Sequence, residues 1–197
     1  MKNNYVRLLS IVLVAILVGQ VVVFTRVYAQ ESKAFADKNT VELGGNISYQ
    51  YESFIAQGSV TGNLNTLSFL PYIGYFVADN IEIGLNPVNI TSMWISHSTT
   101  TMYSIFLAPS YNFKTEGNIY PFVEAQLGYT SVIASYSSSN LTGFSWGGRT
   151  GIKIALVGHG LINLGLQYQH ITQNPSYSTN RYGENNIMFS AGFTLWY

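Results

Sequence analysis

From Val41 to Tyr197, apolar and polar side chains alternate with a period of two. The last segment is the clearest. Ile187, Phe189, Ala191, Phe193, Leu195 and Tyr197 share one parity; Met188, Ser190, Gly192, Thr194 and Trp196 share the other. Between Met102 and Phe113 the sorting repeats, with Tyr103, Ile105, Leu107, Pro109, Tyr111 and Phe113 opposite Met102, Ser104, Phe106, Ala108, Ser110 and Asn112. Such alternation marks strands whose two faces meet different surroundings. The runs between turn signals predict eight strands, near 40–53, 64–77, 80–93, 101–113, 119–132, 144–157, 161–172 and 185–197. Most carry an apolar core of about 11 residues, the length a tilted strand needs to cross a bilayer. In the third, Pro87 removes a ladder donor and the alternation slips near Val88, so a bulge is expected there.

The connections also alternate. Ala78-Asp79-Asn80, Lys114–Asn118 and Gly158-His159-Gly160 read as short turns. The stretches 54–63, 94–100, 133–143 and 173–184 are longer and rich in Ser, Thr, Asn and Gly. Short turns on one side and long loops on the other predict an all-β, eight-stranded antiparallel up-and-down transmembrane barrel over residues 40–197, with the short side periplasmic. An even strand number places both barrel termini on that side.

Charge placement supports this reading. Glu42, Glu52, Glu82, Glu124, Arg149 and Lys153 fall within the strands, all on the less apolar parity. A charge facing lipid costs up to about 2–4 kcal/mol at the midplane, so a membrane barrel must turn them inward. A water-soluble barrel would sort them the other way. Glu42, Glu82, Glu124, Arg149 and Lys153 are therefore candidates for interior ion pairs, with Glu124 against Arg149 or Lys153 on the neighbouring strand. Gln126, Gln167 and Gln169 join them inside, and Gly128, Gly151 and Gly165 make room.

Composition agrees. Only 9 % of the chain is charged, 15 % is aromatic and cysteine is absent. Soluble domains carry about 25 % charged residues. Without cysteine there are no disulfides, and closure or a large core must supply stability. Met1–Arg7 is a short basic start, Leu8–Phe24 a nearly continuous apolar run, and Val27-Tyr28-Ala29 a small-x-small cleavage pattern. Residues 1–29 are read as a signal peptide cut after Ala29, and 30–39 as a polar lead-in. The remainder holds six basic and nine acidic residues, a charge near −3, with no basic patch for nucleic acid. Tyr75, Tyr111, Phe113 and Tyr197 are expected to ring the periplasmic edge. Tyr49, Tyr51, Tyr103, Tyr129, Trp146 and Tyr168 would ring the outer one, because amphipathic rings prefer the headgroup zone.

Two features carry a family resemblance. The segment Pro71-Tyr72-Ile73-Gly74-Tyr75-Phe76-Val77-Ala78-Asp79-Asn80-Ile81 resembles the second strand, turn and third strand of the outer-membrane protein β-barrel family. The chain also stops on an aromatic, with Phe193, Leu195 and Tyr197 on one parity. Over residues 40–197 it is similar to OmpX-like proteins and to the membrane domain of OmpA-like proteins. The resemblance implies a Gram-negative outer membrane, contact with its lipid and lipopolysaccharide, and delivery by the barrel-assembly machinery, which would read the ending.

Chemistry is sparse. His97, His159 and His170 are scattered, no cysteine assists them, and no metal ligand set or phosphate-cradling loop is visible. No G-x-S-x-G elbow occurs. No cofactor is expected. The first functional expectation is a non-enzymatic outer-membrane protein, structural or binding an unknown surface ligand through its loops. A narrow ion or small-solute pore, in which Glu124 exchanges between Arg149 and Lys153, is the alternative. A lipid-modifying enzyme using His97 or His170 with a loop serine ranks third.

Overall fold

A β-strand in a bilayer must pair both its edges, because hydrocarbon offers no substitute hydrogen bonds. The computed structural model describes residues 34–56, 59–95, 98–134, 141–156, 158–173 and 182–197, and within them this pairing is met by closure. The strands are β1 (Val41–Ala56), β2 (Ser59–Ala78), β3 (Ile81–Ile95), β4 (Ser98–Asn112), β5 (Ile119–Ala134), β6 (Leu141–Ala155), β7 (Gly160–Gln173) and β8 (Tyr182–Trp196). Each pairs antiparallel with its neighbour in sequence, and β8 closes on β1 to form one barrel. The export segment expected at residues 1–29 lies outside the described residues.

The strands extend further at one end than their composition suggests. β1 and β2 stay paired to Ala56 and Ser59, and β3 and β4 to Ile95 and Ser98. The stretches 54–63 and 94–100, expected as long loops, are thus mostly ladder. Their Ser, Thr and Gly content reads as loop only if a strand must own an apolar face. A hairpin projecting beyond the bilayer needs none, and β-branched Thr99, Thr100 and Thr101 favour extended backbone. Residues 135–140 and 174–181, within the other two expected loops, lie outside the described residues. At the opposite end β2 turns into β3 through Asp79 and Asn80, with Asn80 left-handed at φ 67°, a region Asn tolerates.

The third strand bulges as its sequence predicts. The β3–β4 register shifts between Asn86 and Asn89, skipping Pro87 and Val88. The seam is shorter than any other ladder: β1 and β8 pair only from Glu42–Trp196 to Ser48–Ser190. Beyond that point β8 carries the most exposed apolar side chains, Ile187 at 63 % and Phe189 at 72 %.

Burial is inverted relative to a water-soluble protein. Leu107, Leu127, Leu164, Ile105 and Phe193 are exposed, while Glu42, Glu82, Glu124, Arg149 and Lys153 are buried. Aromatic rings of the expected girdles face outward, with Tyr111 against Phe113 and Trp146 against Tyr168. An outer surface this apolar is stable against hydrocarbon and not against water, which makes the barrel membrane-spanning.

The lead-in does more than tether. Phe35 and Ala36 are buried in the turn end of the barrel, where Phe35 packs on Phe76, Tyr120 and Trp196 at ring separations of 5.3, 4.8 and 6.2 Å. Backbone bonds from Asn39 to Phe76 and from Asn80 to Ala36 hold it there, as does a bond from the Lys38 amide to Asp79 Oδ1.

An inward charge count this high fixes which face meets lipid, and outward substitutions should report the depth. Leu164→Arg, midway between Gly160 and the Tyr168 ring, should cost about 2–4 kcal/mol in urea titrations of the barrel in phospholipid vesicles. Tyr49→Arg, near the outer rim, should cost about 0–1 kcal/mol. Equal costs at the two sites would contradict the assignment of the lipid face.

Candidate functional site in the barrel interior

Eight strands enclose a lumen that side chains from opposite walls can fill. The interior is built in layers from the turn end upward. Phe35, Phe76, Tyr120, Leu161 and Trp196 form the base. Above it lies the first ionic layer. Lys153, on β6, reaches across the lumen and donates to Glu42 Oε2 on β1 at 2.5 Å and to Glu82 Oε2 on β3 at 3.1 Å. Thr194 donates to Glu42 Oε1 at 2.7 Å, and Ser110 and Asn112 donate to Glu82 Oε2 at 3.0 and 3.1 Å. All three ionic side chains are at most 1 % exposed.

The second ionic layer is local. Glu124 and Arg149 are direct cross-strand neighbours on β5 and β6, and Arg149 Nη2 donates to Glu124 Oε2 at 2.8 Å. Gln126 donates to Glu124 Oε1 at 2.7 Å, and Gln167 donates to Gln126 at 3.0 Å. Two rings lie against the cations of both layers. Tyr72 and Phe122 stand 5.8 and 5.2 Å from the Arg149 guanidinium, and 5.6 and 5.5 Å from the Lys153 ammonium. Each face can hold a cation by its ring quadrupole. Tyr72 fits because Gly84 lacks a side chain: a Cβ there would fall 2.6 Å from its ring.

Toward the other end neutral polar groups predominate, with Glu184 the charged residue among the described lining of an outer cavity. Ser104, Thr130 and Ser145 form a hydroxyl chain with links of 2.9 and 2.7 Å. The ion pairs and hydroxyl links offset part of the cost of burying so many polar groups, and removing one member of such a pair leaves a costly orphan.

The structure brings together Glu124 with Arg149, and Lys153 with Glu42 and Glu82. It does not bring Glu124 to Lys153, the exchange that the pore expectation needs. Sequence reasoning missed this because adjacency along the sheet was visible and reach across the lumen was not. It also missed Phe35, although Ala34-Phe35-Ala36 is the apolar run in an otherwise polar stretch. The Glu52 side chain and His97 lie outside the described residues. His170 faces outward, with Nδ1 2.7 Å from Asn185 Oδ1 and its ring on Trp146, and His159 meets Trp196 edge-to-face. Among the described residues, no group of three or more His, Cys, Asp or Glu could hold a metal. Phe193 and Leu195 lie on the outward parity of β8.

Three carboxylates face two cations in this interior. Glu42→Gln evens the count and leaves Lys153 its bond to Glu82, so it should lower stability by less than about 1 kcal/mol. Lys153→Met leaves two buried carboxylates without a cation and should cost about 3–5 kcal/mol. Urea unfolding of the two variants in one lipid system measures the contrast; reversed costs would refute the layer as described.

No family model matches the chain, and no curated protein is similar to it in sequence. Solved structures do match its fold. Neisserial surface protein A aligns with a TM-score of 0.58 and 18 % identity over 79 % of this chain and 96 % of that one. The N-terminal β-barrel domain of Pseudomonas aeruginosa OprF aligns with a TM-score of 0.49 and 18 % identity over 81 % and 98 %. The chain therefore has the fold of the small eight-stranded outer-membrane barrels, a closed up-and-down sheet with its charges inside.

Proposed function

We propose that this protein is a non-enzymatic outer-membrane barrel that conducts no ions and acts through the surface it presents at its outer rim. The observation that carries the reading is the filled lumen: an aromatic base, a Lys153 tie across it and a Glu124–Arg149 layer above. A lumen filled in this way suits a scaffold. The long ladders beyond the membrane, β1–β2 and β3–β4, supply rigid edges for a surface ligand.

The same reading includes its route. Residues 1–29 serve as the export signal, with cleavage after Ala29. Phe193, Leu195 and Tyr197 form the ending that the barrel-assembly machinery takes up. The short turns face the periplasm, together with both barrel termini, and lipid and lipopolysaccharide surround the wall. The narrow pore is the second reading, favoured by the polar, charge-lined interior. A lipid-modifying enzyme is the third, and His170 bonded to Asn185 on the outward face gives it little support.

Planar-bilayer recordings test the first reading against the second. Wild type should show no discrete conductance steps. Steps confined to Lys153→Ala would assign the seal to that lysine and leave the closed reading standing. Steps in wild type would end it in favour of the pore. Lipid A from a deletion strain should have an unchanged mass spectrum; a lost modification would return the enzyme reading.

A further inference from the structure

The lead-in is fixed to one side of the barrel seam and reaches the other. Its backbone is held on β2 and the turn after it. The Asn39 amide donates to the Phe76 carbonyl at 2.8 Å, the Phe76 amide to the Thr40 carbonyl at 2.9 Å, and the Asn80 amide to the Ala36 carbonyl at 2.8 Å. The Tyr75 hydroxyl donates to Asn39 Oδ1 at 2.8 Å. Phe35 then turns inward. Its ring joins Phe76 of β2 to Tyr120 of β5, Leu161 of β7 and Trp196 of β8 in one buried cluster. β1 lies between β2 and β8, so these contacts span the place where β8 closes on β1. Backbone closure there rests on the short ladder from Glu42–Trp196 to Ser48–Ser190.

We propose that residues 35–40 are a strap that docks after the barrel closes and holds the β1–β8 seam shut. Three observations support this order. Tyr120, Leu161 and Trp196 belong to the second half of the sheet, and only closure carries them beneath a segment fixed to β2. In an open sheet Phe35 would keep Phe76 and lose the rings of Tyr120 and Trp196. The docked strap is also unfavourable on its own. Ala36 and Asn39 are left-handed, at φ 71° and 66°, and in that region an alanine Cβ crowds the carbonyl. Its conformation is compensated by contacts that closure supplies. Finally, Phe35 lies 5.2 Å from Lys153 Nζ, whose bonds to Glu42 and Glu82 cross the same closed lumen. Contacts formed after the closing step slow opening and leave the rate of closing unchanged.

The test follows folding and hydrogen exchange of the full barrel in phospholipid vesicles, with heat-modifiable gel mobility as the check of closure. Phe35→Ala should fold at a rate within threefold of wild type and unfold in urea about 30-fold faster. Phe35→Leu, which keeps most of the apolar volume, should recover most of that loss. Backbone amides of the seam, Glu42–Ser48 and Ser190–Trp196, should exchange at least 10-fold faster in Phe35→Ala. Those of the β4–β5 ladder should stay within twofold. Phe106→Ala, a buried ring on β4 away from the lead-in, should show no such preference for the seam. Failure of Phe35→Ala to fold, refolding slowed as much as unfolding is accelerated, or exchange raised equally in both ladders would each overturn the strap.

Discussion

The structure depends on one constraint: charges that lipid excludes from the wall must find partners inside the lumen. Lys153 meets it by leaving its own neighbours and crossing to Glu42 and Glu82. That single ammonium joins β6 to β1 and β3, strands no ladder connects to it. Glu42 in turn takes the Thr194 hydroxyl from β8. The bond lies at the base of the β1–β8 seam, the shortest ladder in the barrel, so the ionic layer helps close the sheet where backbone pairing is sparest.

Other residues follow from that tie. Lys153 is covered by the Phe35 ring at 5.2 Å, so the lead-in seals the layer it rests on. Gly74 lies against the Glu82 carboxylate and Gly84 against the Tyr72 ring, where any side chain would collide. Glycine in a strand weakens it, yet here it lets larger groups cross the axis. The local cost is offset by packing and hydrogen bonds in the lumen.

Much of this was legible in the chain. Parity alone sorted Glu42, Glu82, Glu124, Arg149 and Lys153 to one face, because a period of two leaves no freedom once one face meets lipid. Pro87 announced its bulge. The Glu124–Arg149 pair follows from two strands being neighbours. The Lys153 tie does not, since it depends on lumen width and side-chain length, which no linear pattern encodes. The outer strand ends were misread for a related reason. Outside the bilayer the selection for an apolar face disappears, and with it the alternation, while the hydrogen bonds continue. Phe35 was hidden by its polar company; its partners Phe76, Tyr120 and Trp196 come from three distant segments.

The two ends of the lumen therefore obey different physics. At the turn end, aromatic packing and buried ion pairs make a rigid floor, and displacing any member leaves an orphaned charge. At the other end the layers give way to hydroxyls, amides and thioethers around a small cavity, and the seam beside it is open in its backbone pairing. Beneath those groups lies the Glu124–Arg149 pair. Hydroxyl and amide side chains thus predominate at the outer end of the lumen, and ion pairs nearer the turn end.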